Sequence, residues 1–202
     1  MGDFARPWAG EPVVCVASGP SLTLEACDYA RQRARVIVVN DGYRRVPDAD
    51  ALVALDADWW AVHGDRMMFT TSIQEYFTVD RDVHLRWGAT YLEALIRDGL
   101  SLDWDLVHYG ADSGHMALQL AVLFGARDVY LLGYDMGPDA SGKRHWFGDH
   151  PAPLRNETPY EMLIQKYEVT ARWCKDNGIR VVNCSSTSRL TCFEKARIED
   201  VL

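Results

Sequence analysis

His145 and His150 bracket the stretch HWFGDH. An imidazole that titrates near neutral pH suits general acid or base work. Lys143 and Arg144 come just before it, where cationic side chains can neutralise a departing phosphate. The HxxxxH spacing also reads as a pair of metal ligands, although no third ligand is obvious nearby, and a structural role is the third reading. Asp149 and Arg155 belong to the same run. A second chemistry-bearing pair is Asp56 and Asp58 in LDADWW. A DxD can hold Mg²⁺ or Mn²⁺ bridging to a diphosphate, but it is short enough to arise by chance. Trp59 and Trp60 follow it and can either stack on a base or pack in the core.

The remaining candidates are small polar turns. Ser18-Gly19-Pro20-Ser21 carries a glycine where a strand would turn into a helix, so free N–H groups and the helix dipole would form an anion site there. A plain strand-to-helix turn explains the same residues, because the full GxGxxG fingerprint is absent. Asp112-Ser113-Gly114 repeats the pattern before another helix, as a ligand contact or as a cap. Asn40-Asp41 follows a second apolar run. Asn40 can pair with a base or ribose, or close an Asx turn. Asp135 and the pair Ser185 and Ser186 end two further runs.

These residues need elements to hold them. VVCVAS (13–18), VIVVN (36–40) and ALVALDA (51–57) read as buried strands, and 22–33 as a helix with Ser21 as its cap. A short helix is expected at 72–77, a short strand at 83–87 and a helix at 89–97. The second half predicts a strand at 104–109, a helix at 114–124 with Met116, Leu120 and Leu123 at helical spacing, and a strand at 129–134. Residues 136–158 form a long connection, and connections longer than ~12–15 residues are often functional. A long helix at 159–176 stops at Asn177-Gly178, a strand follows at 179–184, and the tail ends in a helix. Short apolar strands alternating with helices imply a Rossmann-like α/β fold: a mostly parallel sheet with helices on both faces. A single domain is expected over 1–202, with 136–158 as an active-site loop or lid. Ligands of such sheets bind beyond the carboxyl ends of the strands, which is where the polar turns fall.

Composition narrows the function classes. Hydrophobic residues make up 48% and charged residues 25% of the 202-residue chain, and the net charge is −8. That charge argues against strong non-specific nucleic-acid binding. The five cysteines are odd in number and form no CxxC pair, which predicts a reduced, cytoplasmic protein without a disulfide framework or thiolate zinc site. No signal or myristoylation pattern opens the sequence, and no apolar run reaches the ~18 residues of a membrane span.

The ordered motifs GPSL (19–22), VNDGYR (39–44), SGHMALQLAVLFGARDVYLLGYDM (113–136), HWFGDH (145–150) and IRVVNCSSTSRL (179–190) resemble the bacterial lipooligosaccharide sialyltransferases of glycosyltransferase family 42. They also resemble the related superfamily of domain-of-unknown-function 115 and the archaeal 6-hydroxymethylpterin diphosphokinases, above all its small phage or prophage members. The resemblance implies that His150 is the base that deprotonates an acceptor hydroxyl. It also implies that Gly19, Ser21, Asn40, Ser113, Ser185 and Ser186 hold a CMP-type nucleotide-sugar, in a direct displacement with inversion and no required metal. The sequence departs from the sialyltransferases in three places. Ser18 replaces the asparagine before GPSL, an extra Asp149 precedes His150, and no tyrosines follow Asp135 to meet the leaving phosphate, a task Lys143 and Arg144 can take.

The leading expectation is therefore a glycosyltransferase-like transferase with a nucleotide-activated donor. Its catalytic candidates are His150, His145, Lys143 and Arg144. Its nucleotide-binding candidates are Ser18, Gly19, Pro20, Ser21, Asn40, Asp41, Asp112, Ser113, Gly114, Asp135, Ser185 and Ser186. The rivals are Mg²⁺-dependent diphosphoryl or phosphoryl transfer from ATP, with the metal on Asp56 and Asp58, and a non-catalytic nucleotide-binding protein of a phage or bacterial assembly. The expected partner is a small-molecule nucleotide donor. A modified base, a saccharide and a pterin stay open as acceptors, and a homo-oligomer is allowed for.

Overall fold

The computed structural model describes residues 6–110, 112–154 and 157–202; Ala111 and the candidate loop residue Arg155 lie outside them. The chain runs β1 (Val13–Val16), α1 (Leu24–Arg31), β2 (Arg35–Val39), a 3-10 turn (Asn40–Arg44), β3 (Ala51–Val53) and α2 (Ala57–Thr70). It continues through β4 (Glu75–Thr78), α3 (Arg81–Trp87), β5 (Thr90–Tyr91), β6 (Ala94–Ile96), β7 (Val107–Tyr109), α4 (Ser113–Leu123) and β8 (Asp128–Leu132). A 3-10 turn (Ala152–Leu154), α5 (Tyr160–Asp176), β9 (Arg180–Asn183), β10 (Glu194–Lys195) and α6 (Ile198–Val201) complete it.

The main sheet has eight strands in the order β10-β9-β8-β1-β2-β3-β4-β5, and every pairing in it is parallel. Cys15 stands opposite Ile37 of β2 and Leu131 of β8. Alternate residues of a strand face opposite sides, which gives two cores. Val13, Cys15, Ile37 and Val53 pack with α4 and α5 residues such as Met116 and Tyr167 on one face. Val14, Val16, Val38 and Leu52 pack with Cys27 of α1, Trp59 and Trp60 of α2 and Ile198 of α6 on the other. The expected Rossmann-like architecture is thus present. Strand order reverses between β1 and β8, the switch point at which such sheets open a crevice.

The middle of the chain differs from expectation. The residues after Asp56 form α2, a helix the sequence reading left out. Asp56 caps it by accepting from Asp58 N–H at 2.9 Å, and Trp60, Gly64 and Met67 are buried at helical spacing. The expected helix at 72–77 is β4, where Tyr76 and Phe77 favour a pleated surface. The expected strand at 83–87 is α3. Its apolar alternation imitates a strand, but Asp80 caps two amide groups, Asp82 N–H and Val83 N–H, at 2.9 Å each. The expected helix at 89–97 divides into β5 and β6, and β7 pairs with β6 in a separate two-stranded sheet. Ser21 is not the cap of α1. Thr23 is, accepting from Ala26 N–H at 3.2 Å. Among the described residues, no helix is long and apolar enough to cross a membrane.

Candidate active site

A cavity of about 180 Å³ lies at the switch point. The turn after β1 gives it Ala17, Ser18 and Gly19, the end of β2 gives Val39 and Asn40, and the start of α4 gives Asp112, Ser113 and Gly114. The turn after β8 contributes Gly133 to Gly137, while Arg144 and His145 of the long connection and Thr158, Tyr160 and Leu163 close it. The backbone is shaped for this. Gly19 N–H donates to Gly133 O at 2.8 Å, and Gly133 has φ +72°, where a Cβ would come within 2.8 Å of Ala17 O. A side chain at either glycine would hold the two turns apart. Asn40 and Met136 are the described non-glycine residues with positive φ, 47° and 53°, and both line the cavity. Such conformations persist where surrounding structure imposes them, and they cluster at functional sites.

The neighbouring polar groups are largely committed to holding these turns. Ser113 Oγ accepts Leu55 N–H at 3.2 Å, tying α4 to the end of β3. Asp112 caps α4: its Oδ1 accepts His115 N–H at 2.8 Å and Tyr167 O–H at 3.1 Å, while its Oδ2 is buried. Burial pushes the Asp112 carboxyl up to about 6, against those hydrogen bonds. His115, beneath it, accepts Gly110 N–H on Nδ1 at 2.9 Å. Its Nε2–H therefore donates to Thr170 Oγ1 at 2.7 Å, and burial holds the ring down at about 3. Asp135 is 3% exposed, and its Oδ1 accepts Thr187 O–H at 2.6 Å.

Two solved transferases share this fold. The glycosyltransferase MAf of Magnetospirillum magneticum AMB-1 is 17% identical with TM-score 0.63, over 96% of this chain. The chain spans about a third of that protein, 34% of its length. The sialyltransferase CstII of Campylobacter jejuni, solved with the substrate analogue cytidine-5'-monophosphate, is 13% identical with TM-score 0.56, over 93% of this chain and 85% of CstII. Neither a protein-family model nor a curated protein sequence matches the chain.

The long connection lies against the strand ends. Trp146 N–H donates to Ser18 O at 3.1 Å, and His145 Nδ1 lies 3.3 Å from Ser18 Oγ. His145, Phe147 and His150 form one ring cluster, with the His145 and His150 centroids 4.6 Å apart. Burial pushes His145 down to about 4, assisted by His150 and Arg144. Burial also lowers His150, opposed first by Asp41. Burial thus favours the neutral form of both rings.

The other sequence-predicted residues divide clearly. Ser18, Gly19, Asn40, Asp112, Ser113, Gly114, Asp135, Arg144 and His145 are on the cavity wall, whereas Pro20, Ser21, Asp41, Lys143, His150, Ser185 and Ser186 are not. The His150 ring contacts that of His145, which does line the cavity. Ser185 is buried, and its Oγ accepts Tyr134 N–H at 2.8 Å, while Ser186 and Lys143 are exposed. Asp56 and Asp58 are exposed at the head of α2. Among the described residues, no group of three or more His, Cys, Asp or Glu is placed to hold a metal ion. Sequence reasoning missed Tyr134, Met136 and Tyr160, which also line the cavity. The first two adjoin Asp135 in a turn whose geometry only Gly133 hinted at.

Proposed function

We propose that the chain is a glycosyltransferase-like transferase that uses a nucleotide-activated donor of the CMP type. One observation carries this reading. The turns after β1, β2 and β8 and the start of α4 meet around a single cavity, and the long connection lays Arg144 and His145 against it. In this reading Ser18, Gly19, Asn40 and Ser113 hold the nucleotide, and Arg144 neutralises the departing phosphate. His150, in ring contact with His145, is the general base. The acceptor hydroxyl loses its proton to that imidazole as its oxygen bonds to the anomeric carbon. The bond from that carbon to the nucleotide phosphate breaks, and the nucleoside monophosphate leaves with the electron pair. The fold shared with MAf and CstII supports the reading.

A thermal-shift screen tests it with CMP, CMP-sialic acid, UDP-sugars and ATP, each with and without Mg²⁺. Cytidine ligands are expected to stabilise by ~2.7 kcal/mol at a hundredfold excess over Kd. A shift with ATP and Mg²⁺ alone would replace this reading with phosphoryl transfer through Asp56 and Asp58. Binding without nucleotide release under any acceptor would indicate a non-catalytic nucleotide-binding protein. His150→Ala is expected to abolish release of CMP from CMP-sialic acid while CMP still binds, and full turnover in that variant removes the base.

A further inference from the structure

We infer that His145 is the second half of a phosphate clamp: its imidazole, beside Arg144, takes up a proton as the nucleotide binds and donates a hydrogen bond to the phosphate. This rests on the reading of the cavity as a nucleotide site and goes beyond it, since that reading gives the phosphate to Arg144 alone. Among the described residues of the cavity wall, Arg144 is the one lysine or arginine. Asp112 and Asp135 put carboxyl groups on the walls formed by the start of α4 and the turn after β8, and these repel an anion when ionised. A phosphate is therefore drawn to the long connection, where His145 adjoins Arg144 on the same wall.

The ring is held for this task. Its Nδ1 lies 3.3 Å from Ser18 Oγ, and its face stacks on Phe147 with centroids 5.1 Å apart and planes 7° from parallel. With Nδ1 turned to Ser18, Nε2 is the nitrogen left for a ligand. An imidazolium donates from both nitrogens, so the charged ring keeps Ser18 while it meets the phosphate. The groups acting on the ring come from three elements. Burial, His150 and Arg144 of its own connection oppose the charge, whereas Asp41 of the 3-10 turn and a hydrogen bond to the Ser18 backbone after β1 favour it. In the free protein burial wins, and the ring titrates at about 4. A phosphate supplies the missing opposite charge, which raises the midpoint of a cation beside it. The proton comes from solvent, so nucleotide binding is coupled to proton uptake, and the ring tells a nucleotide from its nucleoside.

Histidine NMR titration of the full chain tests this, with the ring signals assigned in the parent protein. Saturating CMP is expected to raise the His145 midpoint by about one pH unit or more. Cytidine, which lacks the phosphate, is expected to leave it unmoved. A midpoint indifferent to CMP overturns the inference. Affinity gives a second measurement. His145→Asn keeps a polar group for Ser18 but has nothing in place of Nε2. It is expected to bind CMP about tenfold or more weakly and to bind cytidine as the parent does. Equal losses for the two ligands would mean that the ring only shapes the cavity, and overturn the inference too. The titration uses the parent alone and stands if that variant does not fold. Should the parent bind neither CMP nor cytidine, the nucleotide reading itself falls, whereas binding of both with an unmoved midpoint ends only the role of His145.

Discussion

Ser21 Oγ donates to Asp135 Oδ2 at 2.8 Å, and Ser21 N–H reaches the same oxygen at 3.3 Å. With Thr187 on the other carboxylate oxygen, Asp135 fastens the turn after β1 to the turn after β9, across the end of β8. Asp135→Ala leaves these donors without their acceptor in a partly buried place. Hydrogen bonds to a charged group are worth roughly 1.5–3 kcal/mol each and are not additive, so a loss of about 2–5 kcal/mol is expected in urea denaturation. A loss below about 1 kcal/mol would show that the clasp carries little.

Gly19 sits directly under that clasp. A Cβ there would overlap Asp135 Oδ2 and lie 2.5 Å from Gly133 O. The carbonyl is backbone and cannot swing aside. Gly19→Ala should therefore cost about 1–3 kcal/mol and abolish the CMP-induced thermal shift together. A variant that binds CMP normally would separate this turn from the ligand site.

The outer features of this molecule were legible because they rest on local signals. Apolar runs such as VIVVN mark strands, and Gly114 to Leu123 shows helical spacing up to its glycine stop. The turns at Ser18, Asn40 and Asp112 could be placed at strand ends by topology alone. What was not legible depends on distant packing. Nothing in AVHGDRMMFT identifies His63 as a neighbour of Asp41; α2 brings it there by stacking it on Trp59 with centroids 5.3 Å apart. The hydroxyls of Ser21 and Ser185 are equally polar in sequence, yet each bonds to groups at least fifty residues away in the chain. The stretch from Arg81 to Ile96 was misread because its apolar alternation competes with the caps at Asp80 and Gly88.

Asp112 gives a pH-dependent prediction. Its folded-state value of about 6 lies above the ordinary 3.8, so its contribution to stability is complete at low pH and is lost as pH rises through 6. His145 at about 4 and His115 at about 3 lie below the ordinary 6.5. Their contributions are present above 6.5 and are lost as pH falls toward 4 and 3. Asp112→Asn keeps a good cap and removes only the first of these. It is expected to be more stable than the parent by about 3 kcal/mol at pH 7.5, since a shift of roughly two pH units converts at about 1.4 kcal/mol per unit. The two should converge near pH 4, and denaturant titrations across that range measure it. Equal stability at pH 7.5 would mean that the carboxyl ionises without cost in the fold.

The long connection is held down by Trp146. Arg45 lies 4.1 Å above its ring and Arg44 5.1 Å away, while its backbone N–H is bonded to Ser18 O. Each cation–ring contact is worth about 0.5–1 kcal/mol where partly exposed. Trp146→Ala should therefore loosen the connection without unfolding the sheet beneath it. Lys143 and Arg144 lie just before Trp146, which makes trypsin a direct reporter. Cleavage after either is expected to quicken in Trp146→Ala and to be slowed again by saturating CMP, because the nucleotide would draw Arg144 back to the cavity. Unchanged cleavage would show that the loop is held by the His145 and Ser18 contacts instead, and cleavage indifferent to CMP would place the nucleotide away from Arg144.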